Sequence, residues 1–283
     1  MNSKSAKKDI LKEKIGVAGC GNMGLPMLRS ILSKNIDAQG YDIENKKSRL
    51  GNNFVFSKKK FLDDSSVIVS VVRDAADTIE LCQGSTGLFE QQSNKILIIS
   101  STLSPRFLMD IKKKAPKNIT IIDAPMSGAT VAAKEATLTF MVGCEKKLFA
   151  YIEPLLRLMG AQINHIGNFG SGMMVKVLNN FIAASSVVSV RHVLHQAQKF
   201  DLDIDVLFKS IDTSSGQTWF GTNRESIEWF KESFKKNNTI GILTKDVLAY
   251  VDAFEDENEK DDFVNGELSK SVLKALKNMP EAN

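Results

Sequence analysis

Gly19-Cys20-Gly21-Asn22-Met23-Gly24 joins the apolar run Ile15–Ala18 to a stretch with helical spacing of Met23, Met27, Ile31 and Leu32. A G-x-G-x-x-G turn between strand and helix suits the pyrophosphate of a dinucleotide. The first glycine permits the tight turn, the second lets backbone approach the phosphates, and the third allows close helix–strand packing. The helix N-terminus then offers free N–H groups and a positive dipole end. Asp42 follows Gly24 by 18 residues, at the end of the next strand-like run. A carboxylate there accepts from ribose hydroxyls and repels a 2′-phosphate, so the expected cofactor is NAD. Lys46 and Lys47 lie close by and leave NADP open.

Lys176 and Asn180 stand four apart in a run without Pro or Gly, so they share a helix face one turn apart. The flanking residues 173–175, 177 and 178 are all apolar. Desolvation lowers a lysine pKa toward neutrality, which suits a group that takes and returns protons. Asp123-Ala124-Pro125-Met126-Ser127-Gly128-Ala129 offers a hydroxyl donor among small residues that leave backbone N–H groups open to an anion.

These stretches resemble the β-hydroxyacid dehydrogenase family, which includes 3-hydroxyisobutyrate dehydrogenase and the longer 6-phosphogluconate dehydrogenase. Ile15–Met27 is similar to its dinucleotide signature, with Cys20 where leucine is usual. The resemblance assigns cofactor contacts to Gly19, Gly21, Asn22, Met23, Gly24, Asp42, Val72, Arg73 and Thr102. It makes Ser127, Gly128 and Ala129 the carboxylate site, although the family typically has glycine where Ala129, Ala132 and Ala136 stand. Gly167–Asn180 resembles the family's G-x-x-G-x-G-x-x-x-K-x-x-x-N motif. That implies Lys176 as the catalytic acid/base and Asn180 as a substrate ligand. Lys245-Asp246 resembles its K-D-L element, with Lys245 reaching cofactor and substrate. Ser214–Trp219 is similar to a further element in which Gln217 replaces an arginine.

Positioning these residues requires an α/β fold. Short apolar runs (Lys14–Ala18, Val67–Val72, Ile96–Ser100, Ile119–Asp123) and a further strand-like stretch, Ala38–Ile43, alternate with helical segments through residue 165. Strands buried on both faces read this way in a doubly wound parallel sheet. The expected division is a Rossmann-type NAD-binding domain over 1–166, a long connecting helix with the catalytic lysine over 167–198, and an all-α C-terminal domain over 199–283. Helices are predicted over Val206–Ile211, Ser226–Phe234, Ile242–Phe254 and Phe263–Leu276. Glu255–Asp262, with six acidic residues, is predicted as a solvated helix end or loop.

Composition narrows the class. Of 283 residues, 43% are hydrophobic and 25% charged, which excludes a disordered chain. Cys20, Cys82 and Cys144 have no metal-ligand spacing, and no metal is expected; free thiols suggest a reducing, cytoplasmic setting. His192 and His195, three apart, lack a third ligand and read as ordinary helix histidines. Residues 1–60 carry 13 Lys or Arg against 5 Asp or Glu, including Lys4, Lys7, Lys8 and Lys58–Lys60. Without interleaved aromatics this reads as solvated surface, not nucleic-acid binding. The uncharged stretch Val177–Val190 is fourteen residues, short of a membrane span.

The expected activity is reversible hydride transfer between a β-hydroxy acid and NAD, in a homodimer or homotetramer. The alternatives are an NADPH-dependent reductase of small aldehydes such as succinic semialdehyde or glyoxylate, and a non-catalytic dinucleotide-binding homologue.

Overall fold

The computed structural model describes residues 9–255, 261 and 264–282. Lys4, Lys7 and Lys8, and most of the acidic segment 255–262, lie outside the described residues. The chain divides into two compact units, Met1–Lys176 and Val177–Asn283.

The first unit runs β1 (Ile15–Ala18), α1 (Gly24–Leu32), β2 (Ala38–Tyr41), α2 (Lys47–Leu50), α3 (Lys58–Asp64), β3 (Val67–Ser70), α4 (Ala75–Cys82), β4 (Lys95–Ile99), α5 (Pro105–Lys114), β5 (Ile119–Asp123), β6 (Met126–Ser127), α6 (Ala129–Glu135), β7 (Leu138–Gly143), α7 (Lys146–Leu156) and β8 (Gly160–Gly167). Strand order is β2-β1-β3-β4-β5-β7-β6, with β8 paired to β7. β1 to β5 are mutually parallel. β1 and β3 are buried along their whole length, as their unbroken apolar runs require. Ile15, Val17, Val69, Ile98 and Ile122 form the core with Met27, Leu28 and Ile31 of α1. Ser57, Asp74 and Ser104 accept backbone N–H groups at the starts of α3, α4 and α5, so local sequence marks those helix starts.

The sheet is mixed rather than purely parallel. β7 pairs antiparallel with β5 and β6, then parallel with β8. Only residues 128–137, with the short α6, separate β6 from β7, less chain than the about a dozen residues a parallel crossover takes. β2 and β3 stop at Tyr41 and Ser70, short of the expected Ile43 and Val72. The residues beyond them leave the sheet as loops at its carboxyl edge.

α8 (Ser171–Lys199) crosses the boundary between the units. Its 29 residues are long and apolar enough to cross a membrane by length and composition, more than the fourteen-residue stretch suggested. In the second unit its Ala184, Val187, Val190 and Leu194 pack in a core with Phe208, Phe220 and Val247. That unit also holds α9 (Ile204–Ile211), α10 (Trp219–Thr222), α11 (Thr239–Phe254) and α12 (Glu267–Lys277). The helix expected from Phe263 starts at Glu267, and Phe263 itself lies outside the described residues. The helix expected over Ser226–Phe234 does not form; the segment is a series of turns. Buried Arg191 donates Nη1 to the carbonyls of Phe230 (2.6 Å) and Glu232 (3.0 Å), satisfying acceptors that the non-helical segment leaves without a backbone ladder.

Candidate active site

Gly19 follows β1 with φ +90°, and a Cβ there would lie 2.6 Å from Val71 O. A Cβ at Gly24 would strike Gly19 O, whereas Gly21 faces open space. The three glycines therefore make the turn, the close packing and the open backbone approach that a pyrophosphate needs. Met23 precedes α1 without a side-chain cap; Leu25 N donates to Gly21 O at 3.1 Å and Pro26 carries no N–H, so Gly24 N is the leading donor that faces an anion. Asn22 is exposed and Met23 packs on the core edge.

Asp42 braces this loop from the end of β2. Its Oδ2 accepts from Cys20 N at 2.7 Å and its Oδ1 from Glu44 N at 2.8 Å. Cys20 sits beneath, its Sγ within reach of Val17 O and Tyr41 O. Burial, then the Asp42 charge, pushes its thiol up to about 12, so it stays neutral. Val72 and Arg73 follow β3; Val72 O accepts from Ser101 Oγ at 2.7 Å. Arg73 is exposed, with Nε 3.4 Å from Asp74 and 3.8 Å from Asp77. Thr102 is half-buried after β4. Gly19, Asp42, Val72, Arg73 and Thr102 thus gather at the carboxyl ends of adjacent parallel strands, where ligands bind in such sheets.

Ser127 ends β6 and is half-buried. Gly128 (φ +128°) turns the chain into α6, which has no side-chain cap. Ala129 and Ala136 both have positive φ, 55° and 56°. Two of the three alanines standing where the family has glycine are therefore in conformations that glycine adopts without penalty. The third, Ala132, lies inside α6, and its methyl would be struck by a Cβ at Gly128.

Lys176 is buried, 7% exposed, one turn into α8. That turn is tied into the sheet. Leu103 N, after β4, donates to Met173 Sδ at 3.4 Å, and Asp123 at the end of β5 accepts from Gly170 N and Met173 N. In the second unit Asn180 donates its amide to Asp246 Oδ2 at 2.8 Å. Lys245 Nζ lies 3.8 Å from Asp246 Oδ1. Trp219 there is 64% exposed. His192 and His195 line a cavity of about 360 Å³ beside Arg191. No group of three His, Cys, Asp or Glu residues able to hold a metal occurs among the described residues.

Two family models match this chain. Residues 14–167 match the NAD binding domain of 6-phosphogluconate dehydrogenase. Residues 170–278 match the NAD-binding region of NADP-dependent 3-hydroxyisobutyrate dehydrogenase. The chain belongs to the β-hydroxyacid dehydrogenase family.

Its relatives include the mitochondrial 3-hydroxyisobutyrate dehydrogenase of Rattus norvegicus, 30% identical over 216 residues. That alignment covers 74% of this chain and 64% of the rat protein. Oxidoreductase YkwC of Bacillus subtilis is 31% identical over 75% of this chain and 76% of its own. The 2-(hydroxymethyl)glutarate dehydrogenase of Eubacterium barkeri is 27% identical over 73% and 70%. Among solved structures, 3-hydroxyisobutyrate dehydrogenase of Mycobacterium tuberculosis superposes with a TM-score of 0.75 at 22% identity, covering 93% of this chain and 91% of that one. The β-hydroxyacid dehydrogenase family accounts for the Rossmann-like sheet, the long helix and the helical C-terminal part, and for NAD(P) as cofactor. Sequence reasoning assigned no role to Asp123 or Asp246. Both stood inside quoted motifs, but their burial and partners arise only from packing.

Proposed function

We propose that this chain is an NAD-dependent oxidoreductase interconverting a β-hydroxy acid of the 3-hydroxyisobutyrate type and its semialdehyde. The observation that carries the reading is a buried lysine, Lys176, on a helix turn tied to the same sheet edge that bears the glycine loop. Gly19, Gly21, Asn22, Met23, Gly24, Asp42, Val72, Arg73 and Thr102 would hold the dinucleotide. The open backbone at Gly21 and the capless start of α1 fit its pyrophosphate. Bound NAD supplies the two-electron redox chemistry at the carbinol carbon.

The residues of the chain do the rest. Ser127, Gly128 and Ala129 bind the carboxylate through a hydroxyl and the N–H groups opening α6. The Lys176 amine takes the hydroxyl proton during oxidation and returns it during reduction. Asn180 and Lys245 are substrate ligands in this reading, and Lys245 also contacts the cofactor. Asp42 favours NAD, because a 2′-phosphate would meet a carboxylate already fixed by two backbone N–H groups. We place the protein in the cytoplasm as a homodimer or homotetramer, a state that light scattering would measure.

The experiment is NADH formation with 3-hydroxyisobutyrate, glycerate, 3-hydroxypropionate, threonate and serine, each with NAD and with NADP. Turnover of one acid, preferring NAD, is expected. General acid–base catalysis contributes about 10²–10⁴-fold, so Lys176→Ala should lose at least a hundredfold in kcat. Near-normal turnover in that variant refutes the mechanism. Preference for NADPH and a small aldehyde would favour the reductase reading. Dinucleotide binding without turnover of any acid or aldehyde would favour a non-catalytic role.

A further inference from the structure

Asp123 ends β5 and is fully buried. Oδ1 accepts from Gly170 N at 2.7 Å and Oδ2 from Met173 N at 2.8 Å, so both oxygens are bound to the start of α8. The surroundings are shaped for this group. A Cβ at Gly143 would strike the carboxylate, and one at Gly172 would lie 2.9 Å from Oδ2. A buried carboxylate is costly even when hydrogen-bonded, and a neutral Ser or Asn caps a helix more cheaply. What a carboxylate adds is two rigidly spaced acceptors. Holding two donors three residues apart fixes the rotation of the helix about its axis as well as its position. Lys176 follows Met173 by three residues, on the same face. From Asp123 the chain reaches Ser127 in four residues. One side chain therefore connects the strand leading to Ser127 with the turn carrying Lys176.

We propose that Asp123 is a positioning residue that sets the Lys176 amine in its reacting orientation. This rests on the reading of Lys176 as general acid/base. Asp123→Asn tests it, since the amide keeps the volume but turns one acceptor into a donor facing an N–H group. Turnover of 3-hydroxyisobutyrate is measured per NADH-binding site, which removes any effect of a smaller folded fraction. A misplacement of about 1 Å costs on the order of a hundredfold. The expected result is a kcat at least 30-fold lower, a larger primary deuterium isotope effect, and an NADH Kd within twofold of the parent. Asp123→Asn combined with Lys176→Ala should be no slower than Lys176→Ala alone. A second readout needs no substrate. After ¹³C reductive methylation, the Lys176 resonance, identified by its loss in Lys176→Ala, should be single in the parent and broadened or split in Asp123→Asn.

An unchanged Lys176 resonance, an unchanged kcat, or multiplying losses in the double variant overturns the proposal. Near-normal turnover in Lys176→Ala instead overturns the acid/base reading beneath it. Asp123→Ser, which keeps one acceptor, is the second variant. If neither variant folds, Asp123 is a stability determinant and the positioning role is refuted.

Discussion

The Asn180 side-chain amide donates to Asp246 Oδ2 at 2.8 Å, and both residues are less than a tenth exposed. Sequence reasoning gave Asn180 to the substrate alone. Its amide is committed to a carboxylate, which also lies 3.8 Å from the Lys245 amine. Asp246 thus orients two of the residues assigned to substrate. Asp246→Ala should raise KM for the acid more than it lowers kcat. Stranding a buried polar group costs about 1–3 kcal/mol, so its urea midpoint should fall. Asn180→Ala should behave similarly, and the double variant should lose less than the two effects added together.

Ala129 and Ala136 adopt left-handed φ values of 55° and 56°. An L side chain pays roughly 1–2 kcal/mol there, and glycine gives part of that back as chain entropy. Ala136→Gly, at the end of α6, should therefore stabilise by up to about 1 kcal/mol. Thermal unfolding should show a midpoint raised by about 2–4 °C. Ala129→Gly should stabilise comparably and change KM for the acid, because it alters the proposed carboxylate turn.

Asp123 should also shape stability against pH. Burial raises its carboxyl from 3.8 to about 6, against the lowering effect of the Gly170 and Met173 N–H groups. The folded state then holds a proton that the unfolded state has released. The contribution is fully present below pH 3.8 and is lost as pH rises through about 6. The slope cannot exceed about 1.4 kcal/mol per pH unit. Urea midpoints measured from pH 4 to 6 should lose this component in Asp123→Asn.

Lys95 is a buried lysine at the start of β4. Its Nζ donates to the carbonyls of Leu62 (2.5 Å), Ser65 (2.8 Å) and Asp63 (3.0 Å) at the end of α3. Burial holds the amine below its usual range. Lys95→Met should destabilise the first unit by about 1–3 kcal/mol, since those carbonyls lose their donor. NADH affinity measured well below the unfolding midpoint should not change.

Asp42, which in the proposed reading favours NAD, also braces the loop by accepting from Cys20 N and Glu44 N. Hydrogen bonds to a charged group are worth about 1.5–3 kcal/mol. Asp42→Ala should raise KM for NAD at least tenfold and reduce the preference over NADP. Steady-state kinetics with both cofactors measures the ratio.

Local pattern determined much of this protein. Continuous apolar runs specified β1, β3, β4 and β5, because strands covered on both faces need no alternation. The glycine spacing specified the loop, because the turn, the phosphate approach and the packing each exclude a side chain. A Pro- and Gly-free run specified α8. Tertiary structure decided the rest. β7 reversed direction because α6 is too short for a crossover. The segment Ser226–Phe234 is not helical, and Arg191, about forty residues earlier in the chain, donates to two of its carbonyls. The partners of Asp123 and Asp246 were not legible for the same reason. A carboxylate's role depends on which N–H groups and amides surround it once water is gone, and the chain supplies those from 47 and 66 residues away.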